Sequence, residues 1–177
     1  MENPSEWEGE KAFLDAYDAY GDAIFRFLAM KISDREVARD LTQETFTRAW
    51  DFCVEGGEIR EWRPFLYRTA YNLVVDTYRK KKTGSLDALI DDEGFAVSDE
   101  SASMKTTLTH AEMSRVRVAI DELDEMYRDV ILLRFSEDLP PKDIARIMGL
   151  SENVISVRIH RGVLKLRQLL GPNTKHI

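Results

Sequence analysis

The sequence predicts an all-α fold of two small helical domains joined by a flexible acidic linker, the second a helix-turn-helix domain. Apolar residues recur three and four positions apart over long stretches, as on helices that pack on a core, and few stretches alternate as strands do. Between the helical stretches, residues 83–109 are small, polar and acidic, without a sustained helical period. We therefore predict a first domain at 10–82, a linker at 83–110 and a second domain at 111–172.

The composition excludes several kinds of site. The 177 residues include one cysteine and three scattered histidines. Cys53 alone forms no internal disulfide, and the histidines show no metal-ligand spacing, so we expect no metal and no cofactor. The first residues lack the basic and apolar segments of a leader, and no apolar run is long enough to span a membrane. We expect a cytoplasmic protein without membrane insertion.

The charge is unevenly distributed along the chain. Residues 60–82 and residues 140–177 each carry 7 basic and 2 acidic side chains, in a chain with a net charge of −7. Two separated basic segments indicate two local surfaces for a polyanion, whereas the overall acidity argues against indiscriminate nucleic-acid binding. Two solvated helix faces are the alternative interpretation.

Two helices are predicted at the start of the first domain, at residues 10–30 and 34–52. The second of these has two distinct faces. Its expected core face comprises Ala38, Leu41, Thr42, Thr45 and Ala49, and its opposite, acidic and amide face comprises Asp40, Gln43, Glu44, Thr47 and Asp51.

A third helix is predicted from about Pro64 to Lys80, after the glycine pair at 56–57. Its expected core stripe is Leu66, Ala70, Leu73 and Thr77; Tyr67, Tyr71 and Tyr78 lie beside that stripe, and Arg68, Asn72 and Arg79 lie beyond the tyrosines. Exposed rings next to cations suit single-stranded nucleic acid, because bases stack on the rings while the cations hold the backbone. Alternatively, the tyrosines only edge the core.

The second domain contains a predicted helix-turn-helix. Pro140 and Pro141 open a short helix, Gly149 is suited to a positive φ, and Ser151 is the predicted N-cap of the next helix. That helix has a core stripe and an outward face marked by Arg158, Arg161 and Lys165, and Glu152, Asn153 and Ser156 at its start suit base edges. An ordinary helical hairpin with a solvated basic face is the alternative. The predicted core stripe is Ile155, Ile159, Val163, Leu166 and Leu170.

Three segments resemble the extracytoplasmic-function group of sigma factors, in the order and at the separations typical of that group. They are ARDLTQETFTRAW (38–50), WRPFLYRTAYNLVVDTYRKKK (62–82) and RDVILLRFSEDLPPKDIARIMGLSENVISVRIHRGVLKLRQLL (128–170). The resemblance implies a bacterial transcription initiation factor in which the first domain is sigma region 2 and the second is sigma region 4. It also implies the partners: core RNA polymerase, through the clamp helices of its largest subunit and its flap region, promoter DNA, and an anti-sigma factor or other regulator.

The resemblance also assigns residues to three contacts. The core polymerase-binding candidates are Asp40, Gln43, Glu44, Phe46 and Trp50. The candidates for reading and melting the minus-10 element are Arg60, Trp62, Arg63, Tyr67, Arg68, Tyr71, Asn72, Arg79, Lys80 and Lys81. The candidates for the minus-35 element are Ser151, Glu152, Asn153, Ser156, Arg158, His160, Arg161 and Lys165.

The helix-turn-helix region of the second domain departs from the pattern of that group. Asp138 stands where Gly is frequent, Pro140 and Pro141 where Ser and an aromatic residue are frequent, and Val154 and Ser156 where Thr and Lys are frequent. We therefore expect this chain to depend more than usual on its first domain, or on another DNA-bound partner.

Two rival functions fit parts of the same sequence. A polymerase-independent duplex-binding regulator would use the second domain alone, and a helical adaptor would bind only proteins through its basic faces. Catalysis is not expected, because no nucleophile-and-base set, no metal-ligand cluster and no phosphate-binding glycine loop is present.

Overall fold

The computed structural model describes residues 4–32, 34–84 and 110–171, which belong to two compact units. The first unit holds α1 (Pro4–Lys31), α2 (Arg35–Val54) and α3 (Trp62–Gly84). The second holds α4 (His110–Asp121), α5 (Glu125–Ile131), a π-helical turn (Leu132–Ser136), α6 (Pro141–Met148) and α7 (Glu152–Leu170). These described residues contain no strand, so the predicted all-α class is confirmed. Most of the predicted linker lies outside them, and within them no helix is long and apolar enough to cross a membrane.

The first unit is a three-helix arrangement in which α1, α2 and α3 all contact one another. Its centre contains Ile24, Phe27 and Leu28 of α1 and Leu66 and Tyr67 of α3, all almost fully buried. The helices extend a few residues beyond the predicted bounds, except that α2 starts one residue later than predicted. The predicted core faces are confirmed: Ala38, Thr45, Ala49, Leu66, Ala70 and Leu73 are buried, and Leu41, Thr42 and Thr77 are half-buried.

Threonine fits these core faces because its hydroxyl is satisfied within its own helix. The hydroxyls of Thr42, Thr45 and Thr77 each donate to the backbone carbonyl four residues earlier, at 2.7–2.8 Å. A hydroxyl bonded in this way carries no unpaired polar group into the core. At the start of α2, the Asp34 carboxylate accepts from the amides of Glu36 and Val37 and caps the helix.

The second unit packs α4, α5 and α6 against α7. One cluster joins Ala119 and Leu123 to Ile131, Leu166 and Leu170, and the remaining core includes Val130, Leu133, Leu139, Ile144 and Ile155. Asp138, at one of the departures noted above, has a φ of 46°. Glycine adopts that left-handed conformation without strain, and aspartate is among the few other residues that tolerate it.

The helix-turn-helix formed by α6 and α7 is built as predicted. Pro140 is extended and Pro141 is the first residue of α6, which ends at Met148 and is followed by the C-cap Gly149 with a φ of 66°. Ser151 caps α7, because its Oγ accepts from the amide of Val154 at 3.3 Å. Ile144 and Ile155 fill the angle between the two helices, where both are fully buried.

We expect Gly149→Ala to destabilise the turn by about 1 kcal/mol, because alanine is strained at a left-handed φ. Nothing lies within 4 Å of an added Cβ, so the cost comes from the backbone and not from a clash. Amide hydrogen exchange of Leu150, whose N–H donates to the Ala145 carbonyl at 3.0 Å, measures this locally. Gly149→Asn, which tolerates this conformation better, should lose less protection; equal losses in both variants would contradict a conformational cause.

Candidate nucleic-acid and protein interfaces

The exposed polar face of α2 is the first candidate interface. We call Asp40, Gln43, Glu44, Thr47 and Asp51 the α2 ridge; all are exposed except Glu44, which is half-buried. The Arg48 Nε donates to Glu44 Oε1 at 2.8 Å, so this carboxylate is already held in place. The α2 ridge therefore offers acidic and amide groups in a line, and Asp40 and Gln43 are its most accessible predicted contacts.

An aromatic cluster lies beside the α2 ridge. The ring centroid of Phe13 in α1 is 5.0 Å from that of Trp50 and 6.3 Å from that of Phe46, and Tyr17 is 4.8 Å from Phe46. Phe46 is only 3% exposed, so its ring packs between helices and does not face a partner as predicted. Trp50 is 37% exposed and stays available for contact.

Phe13 and Tyr17 are the residues of this site that sequence reasoning missed. Their spacing of four in α1 is equally typical of a core stripe, and only the packing of α1 on α2 places them next to Trp50. No signal in the sequence of α1 alone identifies the helix that would lie beside them.

One exposed line of α3 forms the second candidate interface. We call Arg68, Asn72, Val75 and Arg79 the α3 row; their spacing of four, three and four places them on one side of the helix, and all are exposed. Tyr71, half-buried, adjoins the row. The row combines cations, an amide and an apolar side chain beside a ring, as a single-stranded nucleic-acid surface requires.

The other predicted minus-10 cations surround this helix. Arg60 and Lys80 are exposed and Arg63 is half-buried. Arg60 lies 3.6 Å from the Glu58 carboxylate and Arg79 lies 3.2 Å from that of Asp76, both as exposed ion pairs that a phosphate can replace at little cost. The side chain of Lys81 lies outside the described residues.

Two predicted minus-10 residues lie away from the α3 row. Tyr67 is 1% exposed and its ring packs edge-to-face on Phe27 at 5.5 Å, so it is a core residue that presents no face to a base. Trp62 lies nine residues before Tyr71, about two and a half helical turns, and so projects from the opposite side of α3. Its ring is 6.2 Å from that of Phe13, within the aromatic cluster.

The outward face of α7 is the third candidate interface. Glu152, Asn153, Ser156, His160 and Arg161 are exposed, as is the cap Ser151, and Arg158 is half-buried. The side chains at the helix start are therefore free to meet base edges, with Arg158 and Arg161 alongside.

Lys165, a predicted minus-35 contact, lies in an exposed ion pair of the kind that a phosphate can replace. Its Nζ donates to the Asp124 carboxylate before α5 and lies 4.7 Å from the centre of the Tyr127 ring. This hydrogen bond is the main cause that raises the pKa of Lys165. Lys165 therefore ties α7 to the start of α5.

Among the described residues, no group of three or more His, Cys, Asp or Glu side chains could hold a metal ion. Cys53 is half-buried, and burial raises the pKa of its thiol. A thiol with a raised pKa is a poor nucleophile at neutral pH.

Comparisons with known proteins match both units. The family descriptions "Sigma-70 region 2" and "Sigma-70, region 4" match residues 16–83 and 113–166. The chain is similar to the ECF RNA polymerase sigma factor SigW of Bacillus subtilis, at 31% identity over 91% of this chain and 90% of that protein. It is also similar to SigM of the same organism, at 27% identity over 88% of this chain and 93% of that protein.

A solved structure has the same fold. The sigma factor RpoE of Bartonella quintana, crystallised with the anti-sigma factor NepR, superposes with a TM-score of 0.74. Its sequence identity is 20%, over 94% of this chain and 99% of that one.

Proposed function

This chain belongs to the extracytoplasmic-function sigma factors of bacterial RNA polymerase, and on that premise we propose which of its surfaces carries each step of initiation. The chain is an alternative sigma factor that binds core RNA polymerase and directs promoter-specific transcription initiation. Sigma factors are not enzymes themselves, because the core polymerase catalyses RNA synthesis. The single observation behind the proposed assignment is that an acidic and amide ridge and two faces with exposed arginines lie on three separate helices.

The α2 ridge is the proposed contact for the clamp helices of the largest polymerase subunit. Asp40 and Gln43 are exposed on it, and Trp50 adds an accessible ring at its edge. Accessible tryptophan side chains are enriched at protein interfaces and frequently contribute much of the binding energy. The second unit is proposed to bind the flap region of the polymerase.

The α3 row and Tyr71 are the proposed surface for the melted minus-10 element. Unstacking a base costs a few kcal/mol, which stacking on a ring and contacts to the backbone must offset. Tyr71 supplies the ring, Arg68 and Arg79 the charges and Asn72 the amide. Arg60, Arg63 and Lys80 support these contacts through the phosphates, and we include Lys81 from its place in the basic run.

The outward face of α7 is the proposed reader of the minus-35 duplex. The N-cap and the first turn of α7 would enter the major groove, as in other helix-turn-helix proteins. We also propose that an anti-sigma factor regulates this chain, as such factors bind the related proteins of known structure, and that it acts in the cytoplasm with the polymerase.

The test is transcription by bacterial core RNA polymerase with the purified chain on a pool of randomised promoters. Defined start sites that require the chain, with enriched boxes upstream, support the proposal. Stable duplex binding without polymerase and without starts would favour the duplex-binding regulator, and the absence of any DNA-dependent crosslink would favour the adaptor. Neither alternative is favoured at present, because one chain matches both sigma regions.

Arg161→Ala is expected to weaken minus-35 duplex binding by a similar factor on every sequence. Because it removes one phosphate contact, it should also shallow the slope of log affinity against log salt by about 0.9. Binding is measured with the reconstituted holoenzyme from low to moderate salt. Arg115→Ala is the matched control, because it removes an exposed cation of α4, outside the outward face of α7, and it should leave the slope unchanged. An equal change in both variants would contradict the assignment.

A further inference from the structure

The centre of the outward face of α7 contains an apolar side chain that its own domain does not use. Asn153, Val157, His160 and Leu164 follow one another at spacings of four, three and four, and therefore project along one line of the helix. The buried residues Ile155, Gly162, Leu166 and Leu170 lie on the opposite side. Val157, the second residue of this line, is 42% exposed.

An exposed valine stabilises neither the helix nor the core at this position. Its branched Cβ restricts the rotamer and lowers helix propensity, and its methyl groups remain partly exposed to water. The identity of residue 157 is therefore not explained by folding.

The neighbours of Val157 indicate what it contacts. Asn153 lies one turn before it, His160 and Arg161 one turn after it, and Ser156 adjoins it; all four are exposed and polar. Val154, 39% exposed and one turn before Val157, is the other apolar side chain here. A small apolar area within a polar and basic surround is complementary to the major groove. There the flanking phosphates are anionic, and the thymine 5-methyl group is the apolar feature of the base edges.

Resting on the proposed function, we infer that Val157 contacts the 5-methyl group of a thymine in the minus-35 element. This contact discriminates thymine from cytosine, which lacks the methyl group, and adds an apolar specificity element to the polar readout by Glu152, Asn153 and Ser156. Leu164, 45% exposed on the same line, lies about two turns further from the capped end, beyond the part of a recognition helix that meets bases.

The test replaces each thymine of the enriched minus-35 element, one at a time, by deoxyuridine, which lacks only the methyl group. Affinity of the reconstituted holoenzyme is measured by competition against the unmodified promoter. One replacement should weaken the wild-type holoenzyme about fourfold, the factor expected for one buried carbon group. Val157→Ala should weaken binding to the unmodified promoter by a similar factor and should no longer respond to that replacement.

Leu164→Ala is the matched control, because it also removes an exposed apolar side chain from the same line of α7. It should keep the full response to deoxyuridine. An unchanged response in Val157→Ala, a response lost equally in Leu164→Ala, or a minus-35 element without thymine on either strand would each overturn the inference.

These outcomes are distinct from failure of the proposed function. If that function is wrong, no defined start sites and no minus-35 protection are seen with wild type. If only the inference is wrong, both are present and only the methyl dependence is missing. Because Val157 is exposed, the thermal unfolding of Val157→Ala should match that of wild type, which excludes misfolding as the cause.

Discussion

Replacing Asp40 and Gln43 together by alanine is expected to abolish transcription that depends on this chain. Both side chains are exposed on the α2 ridge, and the buried side of α2, with Ala38, Thr45 and Ala49, is unchanged by the substitution. Loss of two central polar contacts at a protein interface reduces affinity by about 30-fold or more per strong contact. Binding to core polymerase, measured by gel shift or by fluorescence anisotropy of the labelled chain, should therefore fall below detection at micromolar concentration.

The stability of this double variant should remain within about 0.5 kcal/mol of wild type, because exposed substitutions without structural partners change stability little. Asp18→Ala with Gln168→Ala is the matched control. It removes the same two types of side chain from exposed positions outside the α2 ridge and should keep polymerase binding. If the ridge variant supported full transcription and saturated the core polymerase at the wild-type concentration, the α2 ridge would not be part of the interface.

The elements that the sequence predicts correctly are those fixed by local chemistry. Gly149 and Ser151 define the helix-turn-helix because a left-handed φ and an N-cap depend on one residue and its immediate neighbours. The division of α2 into a buried face and the α2 ridge follows in the same way from the helical period. None of these features depends on which distant segment packs nearby.

The features that the sequence could not predict depend on partners distant in the chain. Tyr67 is buried by Phe27 of α1, 40 residues earlier, and Lys165 pairs with Asp124, 41 residues earlier. Periodicity gives the angle of a side chain around its helix but does not say whether a neighbouring helix covers that angle. Tyr67 and Tyr71 are therefore indistinguishable as members of one tyrosine stripe in sequence, and only the packing of α1 separates them.

That separation leads to a prediction in which two tyrosines of one helix have different defects. Tyr67→Ala should lower the free energy of unfolding by about 3–5 kcal/mol, because it removes a buried ring and leaves a cavity beside Phe27. Polymerase binding and transcription should fall together, as the first unit unfolds. Tyr67→Phe keeps the ring and should retain most of both, losing at most about 1 kcal/mol for the hydroxyl.

Tyr71→Ala should act on DNA opening and not on folding. Tyr71 is half-buried beside the α3 row, so the fold loses less of its packing, while a melted base loses the ring on which it would stack. Loss of one stacking contact should slow promoter opening by about tenfold, measured by the fluorescence of 2-aminopurine placed in the minus-10 element. Polymerase binding should stay at the wild-type level. If the substitution unfolded the first unit, polymerase binding would be lost as well.

The variants at the two tyrosines test the assignment together. Substitution of Tyr67 should affect folding, and substitution of Tyr71 should affect promoter opening alone. If Tyr67→Phe blocked opening while its unfolding curve matched wild type, the Tyr67 hydroxyl would take part in melting, and the first unit would have to rearrange to expose it. If Tyr71→Ala opened promoters at the normal rate, the α3 row would hold the melted strand without the Tyr71 ring. The expected outcome follows from burial: the ring packed on Phe27 maintains the helix, and the ring at the surface separates the bases.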